Sequence, residues 1–257
     1  MTACTVPAGF VERRSPQRTW WVKAGWEEAI PAHLGFSPVA VHNRQPATNL
    51  SGGRGGIQRV MLSERGTAIV RPYRRGGAVR HFVRDLYWGQ PPRPLLELIG
   101  TETARQRGVP TVEVLGAGVE WCTLGSYRGA FVTREAEGFV NLWEWLWSKP
   151  TGAGREAVIT VVAQTIARMH EAGIAHADLN LTNILVRIAT DSPAVLLIDF
   201  DNARVFPSPL PLRQRQRNFQ RLQRSLNKLD PGGWLSSPLD VRIFCRAYRQ
   251  PPHLDFP

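Results

Sequence analysis

The stretch HADLNLTNILV, residues 176–186, constrains the fold more than any other part of the sequence. It places His176, Asp178 and Asn183 directly before an apolar run. The clearest helical pattern of the chain, residues 155–172, precedes this stretch, and a second strand-like segment that ends in IDFD follows it. A helix, a polar loop and a strand pair in this order bring several oxygen-bearing side chains to one edge.

Composition limits the class of protein. With 257 residues and 43% hydrophobic composition, the chain can bury a substantial core. Its longest apolar runs fall far short of the roughly 18 residues that span a bilayer, and no secretory signal is evident at the N-terminus. The three cysteines form no CxxC pair that would indicate a metal site or a redox couple. We therefore expect a soluble, cytoplasmic protein of one large domain or two small lobes.

The net charge of +11 comes almost wholly from arginine, because only Lys23, Lys149 and Lys228 are lysines among 32 basic residues. Such a charge indicates an anionic partner. Nucleic acid, a phosphorylated metabolite and an anionic membrane surface all satisfy it, and charge alone does not choose among them.

Composition and periodicity divide the chain into three parts. Residues 1–34 show no clear period and are interpreted as an N-terminal extension. Residues 35–134 are rich in strand-like segments and contain one predicted helix, residues 93–107. The segments include a predicted strand at residues 38–42 and a predicted hairpin of residues 111–121 and 127–135. Residues 135–257 are mainly helical. Their last predicted helix, residues 210–229, is basic and amphipathic, and we expect five apolar side chains to point inward: Leu212, Phe219, Leu222, Leu226 and Leu229.

The polar loop and the acidic strand end suit phosphoryl transfer. That reaction needs a carboxylate to orient and deprotonate an attacking hydroxyl, together with oxygen ligands for Mg²⁺. Asp178 suits the first role, and Asn183 with Asp199 the second, while His176 would support the shape of the loop. The alternative is a polar turn whose Asp and Asn side chains only cap backbone groups.

The pattern HxDxxxxN followed by DF resembles the catalytic loop and metal-binding motif of protein kinases. The resemblance implies an α+β, bilobal protein-kinase-like fold with a β-rich N-lobe and a mainly helical C-lobe, and it implies ATP and Mg²⁺ as cofactors. One departure is visible, because Asp201 stands where protein kinases have the glycine of DFG. Only 56 residues follow Asp201 and they contain no APE sequence, so we expect a truncated C-lobe and a small-molecule or glycan substrate.

The glycine-rich segment SGGRGG favours a nucleotide contact. Gly52, Gly53 and Gly55 lie between strand-like runs and could bring backbone amides against phosphates, although such glycines also form ordinary hairpins. The next strand, GTAIVRPY, matches the kinase pattern VAIK with Arg71 in the lysine position. Either arginine has taken the phosphate-pairing role or this alignment of the strand is wrong.

The following helix offers two carboxylates as partners for that cation. Glu97 and Glu102 both lie on it, and the spacing to GVP favours Glu97. A solvated surface role for either glutamate remains an alternative.

Several further stretches are similar to the lipopolysaccharide kinase family that acts on 3-deoxy-D-manno-octulosonic acid (Kdo). They are YRRGGAVRHFVRDLYW at 73–88, RGVP at 107–110, GAFVTRE at 129–135, and HADLNLTNILV with IDFDNAR at 176–204. The resemblance implies transfer of the γ-phosphate of ATP to the 4-hydroxyl of a Kdo sugar in the lipid A inner core. It also implies Kdo-lipid A as the partner, and work at the cytoplasmic face of the inner membrane.

The distribution of arginine agrees with such a substrate. Positive charge is concentrated at residues 71–84 near aromatic side chains and again along the last predicted helix, and both regions could attract anionic lipids or sugar acids. The alternative for both is a solvated basic face. Nucleic acid is not the expected partner.

Two other functions stay open at this point. The first keeps the kinase but moves its substrate to a core heptose or another small hydroxyl compound. The second is a degenerate kinase fold that binds an anionic glycolipid or nucleic acid without catalysis.

Overall fold

The computed structural model of the chain describes residues 5–33, 48–49, 57–62, 65–73, 85–188 and 193–248. These residues belong to two compact units. The first unit comprises Met1–Glu102 and Val112–Glu135, and the second comprises Thr103–Thr111 and Ala136–Pro257. Each unit has its own β-structure and its own hydrophobic core.

The first unit is built on a seven-stranded sheet in which every pair of neighbours is antiparallel. Its strands are β1 (Phe10–Arg14), β2 (Arg18–Lys23), β3 (Thr48–Asn49), β4 (Gln58–Met61), β5 (Thr67–Pro72), β6 (Val114–Trp121) and β7 (Tyr127–Arg134). They lie in the order β1-β2-β6-β7-β5-β4-β3. The hairpin of β6 and β7 that the sequence predicts therefore forms the centre of the sheet.

Both faces of this sheet are buried, because one helix covers each face. Successive side chains of a strand point to opposite faces, so the neighbours Trp21 and Val22 of β2 enter different cores. Val22 packs in a cluster with Ile30 of α1 (Ala29–His33), and Trp21 packs in a cluster with Leu98 of α2 (Arg93–Gln106).

The N-terminal residues take a larger part in this unit than their sequence indicates. Within the segment that shows no clear period, β1 and β2 form a hairpin, and β2 also pairs with β6, with Trp21 opposite Ala117. A pairing between residues so far apart in the chain leaves no local periodic signal. The predicted strand at residues 38–42 lies outside the described residues.

A glycine allows α2 to lie close to β7. A Cβ atom at Gly129 would lie 2.7 Å from Cγ of Pro94, so any larger residue would push the helix away. The hydroxyl of Tyr127 accepts a hydrogen bond of 3.0 Å from the amide of Arg93 at the start of α2. These contacts fix the position of the helix relative to β5 and β7.

The second unit combines helices with short strands. Its helices are α3 (Leu142–Trp147), α4 (Gly152–Glu171), α5 (Leu212–Leu229) and α6 (Pro238–Ala247). Its strands are β8 (Val140–Asn141), β9 (Ile174–Ala175), β10 (Ile184–Ile188), β11 (Pro193–Leu197) and β12 (Arg204–Val205). The strands form two small sheets, one with the order β11-β10-β8 and one that pairs β12 with β9.

Helix α4 is the central element of this unit. Its side chains Val158, Val162, Ile166 and Met169 are buried in one core with residues of β10 and β11. The helix ends before Gly173, whose φ of +72° lies in the left-handed region that favours glycine. The chain reverses there and enters the polar loop.

The basic helix that the sequence predicts is present as α5, but one apolar side chain at its start does not point inward. Phe219 is buried, and Leu222, Leu226 and Leu229 pack against the core. The prediction for Leu212 is wrong, because its side chain is 60% exposed at the first residue of the helix, before the apolar stripe meets the core. In the part of the chain that the structure describes, no helix combines the length and the apolar character needed to cross a bilayer.

An ion pair joins the N-terminal ends of α4 and α6. The Arg155 guanidinium contacts both carboxylate oxygens of Asp240, at 2.9 Å from Nε and 2.8 Å from Nη2. Asp240 also accepts a bond of 2.7 Å from the amide of Ser237, which caps α6. Burial alone would raise the pKa of Asp240, but the hydrogen bonds from Arg155 and Ser237 hold it below its ordinary value.

We expect a double-mutant cycle of Arg155→Ala and Asp240→Ala to give a coupling of about 1–3 kcal/mol in the free energy of unfolding, since the pair is mostly buried. The unfolded chain protonates Asp240 near pH 4, whereas the folded chain does so only at lower pH. The coupling should therefore be complete above about pH 4 and disappear as the pH falls through the folded pKa. Urea titrations of the wild type, the two single variants and the double variant at pH 7 and below pH 4 measure this coupling. Equal coupling at both pH values would contradict the pairing of Arg155 with an ionised Asp240.

Candidate active site

The ring of His176 connects the polar loop to the second strand. Its side chain has no exposed surface, and its Nε2 donates to the carbonyl of Ile198 at 3.0 Å. Its Nδ1 accepts from the amide of Asp178 at 3.1 Å. Burial lowers the pKa of His176, and the neutral ring with its proton on Nε2 is the form that satisfies both bonds. The histidine thereby supports the shape of the loop.

The rest of the loop is closed by two asparagines. Oδ1 of Asn180 accepts from the amides of Thr182 and Asn183, at 2.9 and 3.0 Å, and caps the short 3-10 turn at residues 181–183. The buried side chain of Asn183 donates from Nδ2 to the carbonyl of Asp178 at 2.9 Å. The backbone on both sides of Asp178 is thus fixed, while the Asp178 side chain itself is exposed.

Strand pairing brings Asn183 beside the acidic end of β11. Ile184 of β10 lies opposite Leu197 of β11, and the amide of Ile198 donates to the carbonyl of Asn183 at 3.0 Å. Asp199 follows at once, with a φ of +67°. That left-handed conformation is uncommon for residues other than glycine, although aspartate tolerates it better than most, and it is a feature of functional sites. The loop and the strand end therefore lie together, as the sequence predicts.

Helix α5 supports the loop from behind through Asn218. This side chain has no exposed surface, and its Nδ2 donates to the carbonyl of His176 at 2.5 Å. Its Oδ1 accepts from Nε2 of His170 on α4 at 3.2 Å. A single amide thus joins two helices and the loop.

The chain of buried hydrogen bonds continues to the C-terminal end of α6. Nδ1 of His170 accepts from the hydroxyl of Tyr248 at 2.6 Å. The same hydroxyl also accepts from Arg215 at 3.3 Å, and the Arg215 guanidinium pairs with Glu171 at 2.8 Å. Burial lowers the pKa of His170 to about 3, so the ring stays neutral at physiological pH and keeps one donor and one acceptor nitrogen.

The first unit carries the residues predicted to contact the nucleotide. Arg71 of β5 forms an ion pair with Glu97 of α2, and the hydroxyl of Tyr73 donates to the second oxygen of the same carboxylate. Glu97 is 1% exposed, whereas the Arg71 side chain keeps 32% of its surface. The guanidinium also lies over the rings of Tyr73 and Phe131, at 5.2 and 5.7 Å. The predicted pairing of Arg71 with Glu97 is therefore present.

The remaining predicted contacts lie outside the described residues. They are the three glycines of the SGGRGG segment: Gly52, Gly53 and Gly55. Their role in holding phosphates stays a prediction.

Sequence reasoning missed the residues that support the loop. Asn218 and His170 lie within ordinary helical patterns, and nothing local marks them as polar groups of the core. The one signal was that a histidine and an asparagine fall on the apolar faces of α4 and α5, where buried polar residues require partners.

Comparison with known proteins identifies relatives over most of the chain. The family model of the lipopolysaccharide kinase (Kdo/WaaP) family matches residues 43–248. A 3-deoxy-D-manno-octulosonic acid kinase of Xylella fastidiosa (strain M23) is 33% identical over 207 residues, which cover 77% of this chain and 76% of the relative. The kinase of the same name from Xanthomonas axonopodis pv. citri (strain 306) is 36% identical over 197 residues, covering 76% and 74%.

A solved structure gives the same result for the fold. WaaP in complex with acyl carrier protein matches with a TM-score of 0.56 at 18% identity and covers 87% of this chain and 88% of that one. This likeness confirms the α+β protein-kinase-like fold. Since the relatives are named as kinases, the chain is a phosphotransferase. It belongs to the lipopolysaccharide kinase (Kdo/WaaP) family.

Proposed function

We propose that this lipopolysaccharide kinase transfers the γ-phosphate of ATP to the 4-hydroxyl of a Kdo residue in the lipid A inner core. The observation that carries the proposal is the geometry of the polar loop. The backbone around Asp178 is fixed by hydrogen bonds while its carboxylate is exposed, and Asn183 lies next to the strand end that carries Asp199. An exposed, positioned carboxylate beside two oxygen ligands is what phosphoryl transfer requires of a protein.

Asp178 acts on the acceptor hydroxyl. Its carboxylate accepts a hydrogen bond from the hydroxyl and so orients the oxygen toward the γ-phosphorus. A bond forms between that oxygen and phosphorus as the bond from phosphorus to the bridging oxygen of ADP breaks. The proton of the hydroxyl passes to Asp178, and ADP leaves.

Asn183 and Asp199 are the residues that would hold Mg²⁺. The Asn183 amide nitrogen is occupied by its bond to the carbonyl of Asp178, so the amide presents its oxygen, which is a ligand that Mg²⁺ accepts. The described residues contain no group of three or more His, Cys, Asp or Glu that could hold a metal by themselves. That agrees with Mg²⁺, which uses one or two carboxylates together with phosphates and water. When bound, the ion would supply positive charge that neutralises the phosphates.

Arg71 is the residue that would hold the α- and β-phosphates. Its pairing with Glu97 fixes the guanidinium in place, and about a third of the Arg71 side chain is exposed to solvent. Because a guanidinium is always charged and has several donors, it can serve the carboxylate and a phosphate together. The glycines at positions 52, 53 and 55 would add backbone amides from the neighbouring segment.

We further propose that α5 holds the enzyme at an anionic membrane surface, where a lipid-linked acceptor resides. Four exposed basic residues lie along one side of this helix, and its eighteen residues include no carboxylate. They are Arg213, Arg217, Arg224 and Lys228. Attraction of this kind is screened by salt.

The membrane proposal predicts binding to vesicles that contain anionic lipid, and release as the salt concentration rises. Replacing the four exposed basic residues with glutamine should abolish this binding, because the electrostatic attraction is lost. Sedimentation with vesicles measures it, and vesicles of neutral lipid serve as the control. Equal binding to both kinds of vesicle would contradict the proposal.

The proposed reaction is tested with labelled ATP and two acceptors, Kdo-lipid A and its heptosylated form. We expect Mg²⁺-dependent label on the Kdo 4-hydroxyl, located by mass spectrometry and NMR. Asp178→Asn should lower kcat about 10²- to 10⁴-fold, because the amide cannot accept the proton. Transfer to heptose would overturn the proposed acceptor. Unchanged turnover by Asp178→Asn would overturn the assignment of Asp178 as the base.

Arg71→Met should raise the KM for ATP about 10- to 100-fold, since charge-assisted hydrogen bonds to phosphate are lost. It should also lower the melting temperature, because Glu97 stays buried without its cation. Arg59→Met on the adjacent strand β4 is the matched control, since Arg59 pairs with Glu135 at the surface. If both variants have the same KM for ATP, the assignment of Arg71 to the nucleotide site is wrong.

A further inference from the structure

The catalytic loop carries no cation of its own. Residues 176–183, HADLNLTN, contain neither lysine nor arginine. Transfer to an anionic acceptor nevertheless brings the carboxylate of Asp178, the phosphates and the charge of the acceptor together. Like charges at such short range oppose binding unless a cation lies among them. Mg²⁺ held by Asn183 and Asp199 would neutralise the phosphates, so the charge of the acceptor calls for a second cation. An element that packs against the loop can supply it.

Helix α5 is such an element, because two of its side chains bond to the loop. Asn218 donates to the carbonyl of His176 at 2.5 Å, and Oγ of Ser225 accepts from the amide of Leu181 at 3.2 Å. These contacts are about two helical turns apart. They fix one face of α5 along the length of the loop.

Arg221 lies between these two contacts along the helix. It is about 60° around the helix from Asn218 and about 40° from Ser225, so its side chain leaves α5 at the edge of the face that holds the loop. Arg221 is half-buried, whereas the other four basic residues of its stripe are exposed: Arg213, Arg217, Arg224 and Lys228. Arg221 is thereby distinguished from the outward-facing cations of the same helix.

The charge of Arg221 acts on the catalytic loop itself. Burial is the main cause that lowers the pKa of His176, and the positive charge of Arg221 lowers it in the same direction. The carboxylates of Asp199 and Asp178 act on the same ring with the opposite sign. The guanidinium therefore belongs to the same electrostatic environment as the base.

Among the described residues, the guanidinium of Arg221 forms no salt bridge and donates no hydrogen bond. Arg215, on the same helix, shows the contrast, because it is buried and pairs with Glu171. A half-buried guanidinium at the edge of the helix face that holds the loop, with its forked donors unused by described groups, is well suited to a planar anion.

We propose that Arg221 binds the carboxylate of the acceptor sugar, next to the hydroxyl that Asp178 deprotonates. This assignment rests on the proposed function, because Kdo is a sugar acid. The acid group and the accepting hydroxyl belong to one small sugar, so a cation on the helix that packs against the loop can bind the acid when the hydroxyl meets Asp178. The guanidinium offsets the repulsion between the acceptor carboxylate and Asp178.

The experiment compares Arg221→Gln with Arg168→Gln on Kdo-lipid A and on its carboxyl-reduced analogue. Arg168 is an exposed arginine of α4 and serves as the matched control. Arg221→Gln should lower kcat/KM for Kdo-lipid A about 10- to 100-fold, as expected for the loss of a charge-assisted pair. The KM for ATP should stay unchanged, and Arg168→Gln should behave as the wild type.

The carboxyl-reduced acceptor shows whether the anion that Arg221 binds is the carboxylate of the sugar. The wild type should prefer Kdo-lipid A to the carboxyl-reduced acceptor by about the same factor, and Arg221→Gln should lose this preference. A preference that the variant retains would overturn the proposal, as would equal effects of the two substitutions. A rise in the KM for ATP alone would show that Arg221 binds the γ-phosphate, and would also overturn it. The comparison of acceptors by the wild type needs no variant and so does not depend on how the variant folds.

Failure of the proposed function gives a different result. If the wild type phosphorylates only a heptosylated acceptor on its heptose, the Kdo assignment falls, and this appears before any variant is measured. The same two substitutions, assayed on that acceptor with and without its carboxyl groups reduced, then test Arg221 independently.

Discussion

The geometry of the candidate site depends on one neutral histidine. His176 accepts from the amide of Asp178 with one ring nitrogen and donates to the carbonyl of Ile198 with the other. A protonated ring has two donors and no acceptor, so it would have to break the bond to Asp178. Burial keeps the ring neutral by lowering its pKa. Because burial excludes water from this side chain, the ring stays neutral. The neutral ring holds the start of the loop against the end of the strand that leads to Asp199.

That arrangement is maintained from a distance by a satisfied polar network. Tyr248, His170 and Asn218 form a line of buried hydrogen bonds that ends on the carbonyl of His176. Buried polar groups of this kind cost free energy when any member lacks a partner, and they specify one arrangement when every member has one. Helix α6 therefore contributes to the site without supplying a reacting group, because its last turn leads to Tyr248 and its first turn is fixed to α4 by Arg155.

Local patterns predicted the parts of the fold whose signals lie within one element. Periodicity and turn residues predicted helices α2, α4 and α5, the hairpin of β6 and β7, and the strands β10 and β11, which lie between Asp178 and Asp199. The pairing of Arg71 with Glu97 was implied by the resemblance of this strand and helix to those of protein kinases. Strands β1 and β2 were missed because their stability comes from β6, far along the chain. Helix α6 was also missed, although Pro238 and the capping box of Ser237 and Asp240 are local signals of a helix start.

The sequence by itself determined the chemistry available to this protein. The spacing of Asp178, Asn183 and Asp199 places three oxygen-bearing side chains at neighbouring strand ends, because the pairing of β10 with β11 is local. Only the tertiary structure decided which distant groups hold that loop and which basic side chain of α5 is partly buried. Asn218 lies 42 residues after His176, and Arg221 is half-buried whereas the other basic residues of its stripe are exposed. Contacts at such separations depend on how helices pack, and helix packing is set by the whole core of the unit and not by any one segment.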